Sequence, residues 1–180
     1  EFRRVLFRSL KGAGIERGLI GPREGDRIWE RHILNSLFVT QLLPQGASLF
    51  DIGSGAGLPG IVIALARPDL KVTLIEPLER RVEFLKEATE GTDIQVIRGR
   101  AQDVKKSADY VTARAVAALD KLKKMSWHML KMNGSLLAMK GESAAKEMEA
   151  LASEHPAAFD VAMKAFEKNG PVVTVAGIPG

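Results

Sequence analysis

From Gly46 onward the chain alternates short β-type runs with stretches of helical period. Ser48–Ile52 is an apolar run halted by glycines, and Lys71–Glu76 reads as a second strand. Residues 94–97, 109–112, 135–139 and 171–175 are further strand candidates. Between them, residues 78–90 place Val82, Phe84, Leu85 and Ala88 at helical spacing, and residues 118–130 form another helix with its end marked by Asn133-Gly134. Ahead of the sheet, residues 27–43 form an amphipathic helix bearing Ile28, Trp29, Ile33, Leu34, Leu37 and Phe38, with Asp26 as its N-cap. Alternation of this kind predicts βαβ units with right-handed crossovers. The expected fold is therefore α/β, a mostly parallel doubly wound sheet with an N-terminal helical extension.

The segment with chemistry in it is Asp51-Ile-Gly53-Ser-Gly55-Ala-Gly57-Leu58-Pro59-Gly60. It follows a strand and opens a helix, the context in which a glycine-rich turn becomes a ligand loop. Glu76 ends the next predicted strand, where an acid accepts hydrogen bonds from ribose hydroxyls. Residues 55–60 formally match the dinucleotide pattern GxGxxG, so a nicotinamide-dependent oxidoreductase is the first rival. Asp51 argues against it, because a carboxylate before the glycines repels pyrophosphate. The same carboxylate can receive the ammonium of a methionine moiety, which points to S-adenosylmethionine. No GxxxxGK[ST] loop supports an NTPase.

Composition and charge narrow the picture further. The 180 residues suffice for one domain, and 46% hydrophobic with 27% charged residues is a globular mix. Cysteine is absent, which removes disulfides, thiolate metal sites and Cys nucleophiles and fits a reducing cytoplasm. No run approaches the roughly 18 apolar residues of a membrane span. Lys+Arg 26 against Asp+Glu 22 gives +4, but residues 1–9 hold Arg3, Arg4, Arg8 and Glu1 and so supply +2 of it. Those nine residues have no clean period and are read as non-native adaptor sequence. The remaining layout is an N-terminal helical extension over 10–45 and the main domain over 46–180. The chain stops at a turn, Gly177-Ile-Pro-Gly180, so a fragment lacking its last strand is expected.

Four blocks in order, His32-Ile-Leu-Asn-Ser36, Asp51 to Gly60, Thr112-Ala-Arg-Ala115 and Lys140-Gly141, resemble the RsmG (GidB) family of bacterial methyltransferases. The resemblance spans residues 17–180, and residues 17–24 depart from the Asn-Leu-Thr sequence of many members and resemble the actinobacterial variant. It implies a Rossmann-like class I fold, S-adenosyl-L-methionine as cofactor, and methylation of N7 of a guanine in the 530 loop of 16S rRNA. The implied partner is 16S rRNA, the 30S subunit or an assembly intermediate, in the cytoplasm. It also implies cofactor contacts at the positions of Gly53, Leu58, Ala101, Gln102 and Arg114. With Asp51, Gly55, Gly57 and Glu76 from the loop argument, these complete the expected cofactor set.

Guanine N7 carries a free lone pair, so transfer to it needs alignment rather than a general base. Candidates for that positioning are Arg114, at the carboxyl end of the fourth strand, His32 and Lys140. The plain alternatives stay open: Arg114 as a surface arginine, His32 as a structural hydrogen-bonder, Lys140 as a phosphate contact or a solvated lysine. His128 and His155 have no ligand-type neighbours, so no metal is expected. Trp29 and Trp127 are read as core. A monomer is assumed, no self-association seam being visible. Residues 98–124 hold eight basic residues against three Asp and are expected beside the cofactor mouth, with Lys123 and Lys124 exposed towards RNA. Residues 142–160 hold five acids against one Lys. A small-molecule methyltransferase and a non-catalytic RNA-binding module remain the other readings.

Overall fold

The computed structural model describes residues 12–21, 28–154, 159–165 and 171–177. Its strands are β1 (Ser48–Ile52), β2 (Lys71–Glu76), β3 (Gln95–Arg98), β4 (Ala108–Arg114), β5 (Leu130–Met139), β6 (Phe159–Ala165) and β7 (Pro171–Gly177). They form one sheet in the order β3-β2-β1-β4-β5-β7-β6. β1 pairs in parallel with β2, Leu49 opposite Val72 and Ile52 opposite Ile75, as the alternation predicts. β3, β4 and β5 continue the parallel set, and β7 runs antiparallel to both β5 and β6.

Helices cover both faces, which is why the central strands read as nearly continuous apolar runs. A short α1 (Ala13–Glu16), the N-terminal segment 28–42, α3 (Gly60–Ala66) and α4 (Glu79–Ala88) pack on one face around Leu49, Ile63, Leu74, Phe84 and Leu85. The N-terminal segment contains α2 (Asn35–Val39). α5 (Leu119–Ser126) and α6 (Ala144–Glu154) pack on the other face around Ile52, Val111, Leu122, Leu136 and Leu151. Arg67, just after α3, fastens the extension to the domain through the carbonyls of Thr40, Leu43 and Pro44, braced by Asp69.

The structure corrects several local expectations. The amphipathic helix is wound wide (i→i+5) over Ile28–Leu34 before becoming α2, and Thr40–Leu42 closes as a 3₁₀ turn. A 3.6-residue period therefore misplaces Trp29, which is 54% exposed, while Ile33 and Val39 face the core. Asp26, the expected N-cap, lies outside the described residues. The helix expected to run to residue 130 stops at Ser126, followed by a 3₁₀ turn (Trp127–Met129). Asn133, with φ of 64°, interrupts β5 rather than preceding it. Trp127 is half-buried against the α5–α6 side, in keeping with its reading as core. Phe159–Ala165 was not legible as a strand, because β6 is an edge strand with Asp160, Ala162, Met163 and Lys164 exposed, and its apolar residues are broken up by Asp160 and Lys164. Seven strands are present among the described residues.

Candidate functional site

The carboxyl ends of β1 to β4 converge on one edge of the sheet, where open α/β sheets bind ligands. After Ile52 the chain turns through Gly53, Gly55 and Gly57, with φ of 65°, 55° and 86°, a region that side chains resist. The amides of Gly53 and Ser54 donate to the Ile75 carbonyl at 2.8 and 3.2 Å, pinning the loop across the end of β2. Glu76 is buried and holds the loop from β2: its Oε2 accepts from the Gly55 amide at 2.9 Å and its Oε1 from Leu78 at 3.1 Å.

Asp51 stands beneath this loop, fully buried. Its Oδ2 accepts from the Gly60 amide at 3.0 Å, while its buried Oδ1 has no hydrogen-bond partner among the described residues. Burial pushes its carboxyl from 3.8 up to about 7, with Glu76 adding to the rise and the nearby Ser54 hydroxyl, the Gly60 amide and Arg114 opposing it. A buried carboxylate oxygen of this kind fits a cationic donor.

A cleft of about 300 Å³ opens beside the loop, floored by Ile52 and Ile75 and walled by Gly53, Pro77, Gly99, Arg100, Ala101, Gln102, Val116 and Met125. Its apolar lining with few polar groups is the usual character of a small-molecule site. Of the expected cofactor residues, Gly53, Ala101 and Gln102 line this cleft, and Glu76 sits between two of its lining residues. A Cβ on Gly53 would lie 2.8 Å from Val116 Cγ2, so glycine is needed where the two walls meet.

Other expected residues are placed elsewhere. Gly57 serves packing, since a Cβ there would lie 2.2 Å from Ile61 Cδ1, and Leu58 packs against the core. Arg114 ends β4 outside the cleft lining and its Nη2 contacts His32 Nδ1, which joins two of the positioning candidates across the extension and the sheet. Lys140 is 11% exposed: its Nζ pairs with Glu147 at 2.8 Å and donates to the Ala117 carbonyl at 2.9 Å. The basic stretch is also rearranged. Arg100 reaches the cleft, but Arg98 pairs with Glu79, Lys124 pairs with Asp120, and Lys123, expected to be exposed, is buried. The reason is that Lys123 falls on the packed side of α5 beside Leu119, Leu122 and Ser126.

Val116, Pro77, Gly99 and Met125 line the cleft without having been singled out as site residues. Met125 carries only the helical apolar signal of a core residue, and Val116 follows the Thr112–Ala115 block by a single position. Among the described residues no group of three or more His, Asp or Glu could hold a metal, and no helix is long and apolar enough to cross a membrane.

Strand order, with a glycine loop after β1 and an acid ending β2, is that of the class I methyltransferase fold. Solved structures share that fold: a methyltransferase from Pyrococcus furiosus at a TM-score of 0.64 (15% identity, 81% of each chain), and the Bacillus subtilis tRNA methyltransferase TrmK at 0.62 (18% identity, 81% of this chain and 65% of that one). Within that class the chain belongs to the GidB family, rRNA small subunit methyltransferase G, whose family model matches residues 4–170. Curated relatives named ribosomal RNA small subunit methyltransferase G include those of Mycolicibacterium vanbaalenii (56% identical over 137 residues, 72% of this chain and 60% of that one) and Mycolicibacterium smegmatis (57% over 137 residues, 72% and 58%). The chain thus spans about 60% of the length of these relatives.

The cofactor that family and fold call for is S-adenosylmethionine, and the residues fit it. A buried carboxylate oxygen, a strand-terminal acid and an apolar cleft wall are chemically suited to its ammonium, its ribose hydroxyls and its adenine ring.

Proposed function

We propose that this chain transfers a methyl group from S-adenosylmethionine to ribosomal RNA, at N7 of a guanine in the 530 loop of 16S rRNA. The observation that carries the reading is the unpartnered buried carboxylate oxygen of Asp51 under a glycine loop in a GidB-family chain. Bound there, the cofactor supplies an electrophilic methyl group on a sulfonium. What the protein adds is alignment: Asp51, Glu76 and the cleft walls hold the cofactor, while Arg114 and His32 flank the edge at which a base would approach. N7 needs no deprotonation, and the chain offers no cysteine for covalent pyrimidine chemistry. The product guanine is cationic, so fixed dipoles and positioning suffice.

The RNA is bound through phosphate contacts, with the base recognised out of its stack. With Lys123 buried and Lys124 and Lys140 paired, the cations suited to phosphate contact are Arg100 at the cleft and the exposed Lys105, Lys106 and Lys121. Family membership therefore carries the RNA part of the reading more than charge does.

Transfer of labelled methyl groups to deproteinised 16S rRNA and to 30S subunits, with the product mapped by chemical cleavage at 7-methylguanine, tests both levels. A single labelled guanine in the 530 loop is expected. Label on another base would overturn the site assignment, and tight NADH binding without response to S-adenosylhomocysteine would overturn the methyltransferase reading.

A further inference from the structure

We propose that Glu147, on α6, is a positioning residue for the cofactor cleft, acting with Lys140 as a clasp on the segment that follows β4. This rests on reading the cleft as the S-adenosylmethionine site.

The segment in question begins strained. Ala115 has φ of 52°, left-handed for a residue with a side chain, so something must hold the turn in place. Val116 then forms a cleft wall against Gly53, and α5 begins three residues later at Leu119. The residue before the helix, Ala118, has extended dihedrals (φ −61°, ψ 155°) but no side-chain oxygen with which to cap the first turn.

Glu147 supplies the missing cap from another helix. Its Oε2 accepts from the Leu119 amide at 2.7 Å, placing a negative charge at the start of α5. The same oxygen pairs with Lys140 Nζ at 2.8 Å, and that ammonium donates to the Ala117 carbonyl at 2.9 Å. Ser143 Oγ donates to the other carboxylate oxygen at 2.6 Å, fixing its rotamer. The pair is mostly buried, 11% and 20% exposed, so both groups are held away from competing water. Burial works against ionisation of Glu147, but the bonds from Lys140, Ser143 and Leu119 prevail and keep its carboxyl below the usual range. The clasp thus grips the backbone on either side of Ala118, by the Ala117 carbonyl and the Leu119 amide, and so sets where Val116 stands. It also accounts for Lys140 without a phosphate: its charge is already spoken for by Glu147.

Hydrogen exchange reads the clasp with no ligand present. Glu147→Leu should speed exchange of the Leu119 amide by at least about tenfold, and unchanged protection overturns the clasp. Calorimetric titration with S-adenosylhomocysteine reads its consequence. Glu147→Leu and Lys140→Met should each raise Kd about tenfold, while Lys140→Arg, which keeps charge and donors, stays within about threefold. Adding Ala118→Ser to Glu147→Leu restores a cap within the chain, and should recover melting temperature without recovering affinity, because the Ala117 link stays broken. Recovery of both would reduce the clasp to a stability device and overturn the positioning role. The salt dependence of 16S rRNA binding separates the rival phosphate role: Lys140→Met should leave the slope unchanged, and a slope lowered by about one in Lys140→Met but not in Glu147→Leu overturns the proposal. If the parent chain takes no S-adenosylhomocysteine, the cofactor reading fails and the positioning role with it, an outcome distinct from clasp failure because Leu119 exchange is measured independently.

Discussion

Replacing Asp51 by asparagine should make the chain more stable at pH 8 and no more stable at pH 4. The carboxyl is fully buried and titrates near 7 in the folded protein against 3.8 ordinarily, burial being the main cause. Between those values the folded chain keeps a proton that the unfolded chain releases, so stability falls as pH rises through that window and levels off above 7. A displacement of about three pH units corresponds to about 4 kcal/mol of stability lost between pH 4 and pH 8. Asparagine is neutral throughout, and its carbonyl can still accept from the Gly60 amide, so it should not suffer that loss. Urea unfolding of parent and Asp51→Asn at pH 4, 6 and 8 measures the difference directly, other titrating groups cancelling between the two. The gap should widen with pH by a few kcal/mol, and a gap independent of pH refutes the argument. The complementary expectation concerns ligand. A methionine ammonium prefers the ionised carboxylate, so S-adenosylhomocysteine affinity of the parent should rise between pH 6 and 8, and Asp51→Asn should bind weakly with no such rise.

Gly60→Ala should destabilise by about 1–3 kcal/mol, since its Cβ would fall 2.3 Å from Leu74 Cδ2 and 2.6 Å from Asp51 Oδ2 in a packed interior; thermal unfolding measures it, and a neutral result would contradict the packing. Glu76→Gln should weaken S-adenosylhomocysteine binding about tenfold by calorimetry, because a charged acceptor for Gly55, Leu78 and the ribose becomes a neutral one. Lys105→Gln with Lys106→Gln should lower the salt slope of 16S rRNA binding by up to about two while sparing S-adenosylhomocysteine affinity; an unchanged slope would place the RNA elsewhere. Trp29→Ala should cost under about 1 kcal/mol in urea unfolding, because the ring is half exposed; a loss of about 3 would return it to the core.

Much of this protein could be read from local pattern. Short apolar runs separated by helical periods were enough for the parallel set β1 to β5, because strands buried on both faces leave continuous hydrophobic stretches that survive without knowledge of their neighbours. The glycine loop and Glu76 were legible for the same reason: tight turning and a strand-terminal acid are requirements of adjacent residues. The antiparallel edge strand β6 was not, since Asp160 and Lys164 break its apolar residues into a short piece. Nor was the fate of individual charges. Lys123 and Lys124 are neighbours of one type, yet one is buried and the other paired with Asp120, because only the packing of α5 decides which side each occupies. Arg114 meets His32 across 82 residues of chain, and Lys140 meets Glu147 and the Ala117 carbonyl rather than a phosphate. Residue type and order determined the architecture and the glycine loop, through short-range sterics and the burial of apolar surface. Which polar groups are taken up by one another, and which remain open to a ligand, was decided only when distant segments were brought within hydrogen-bonding distance.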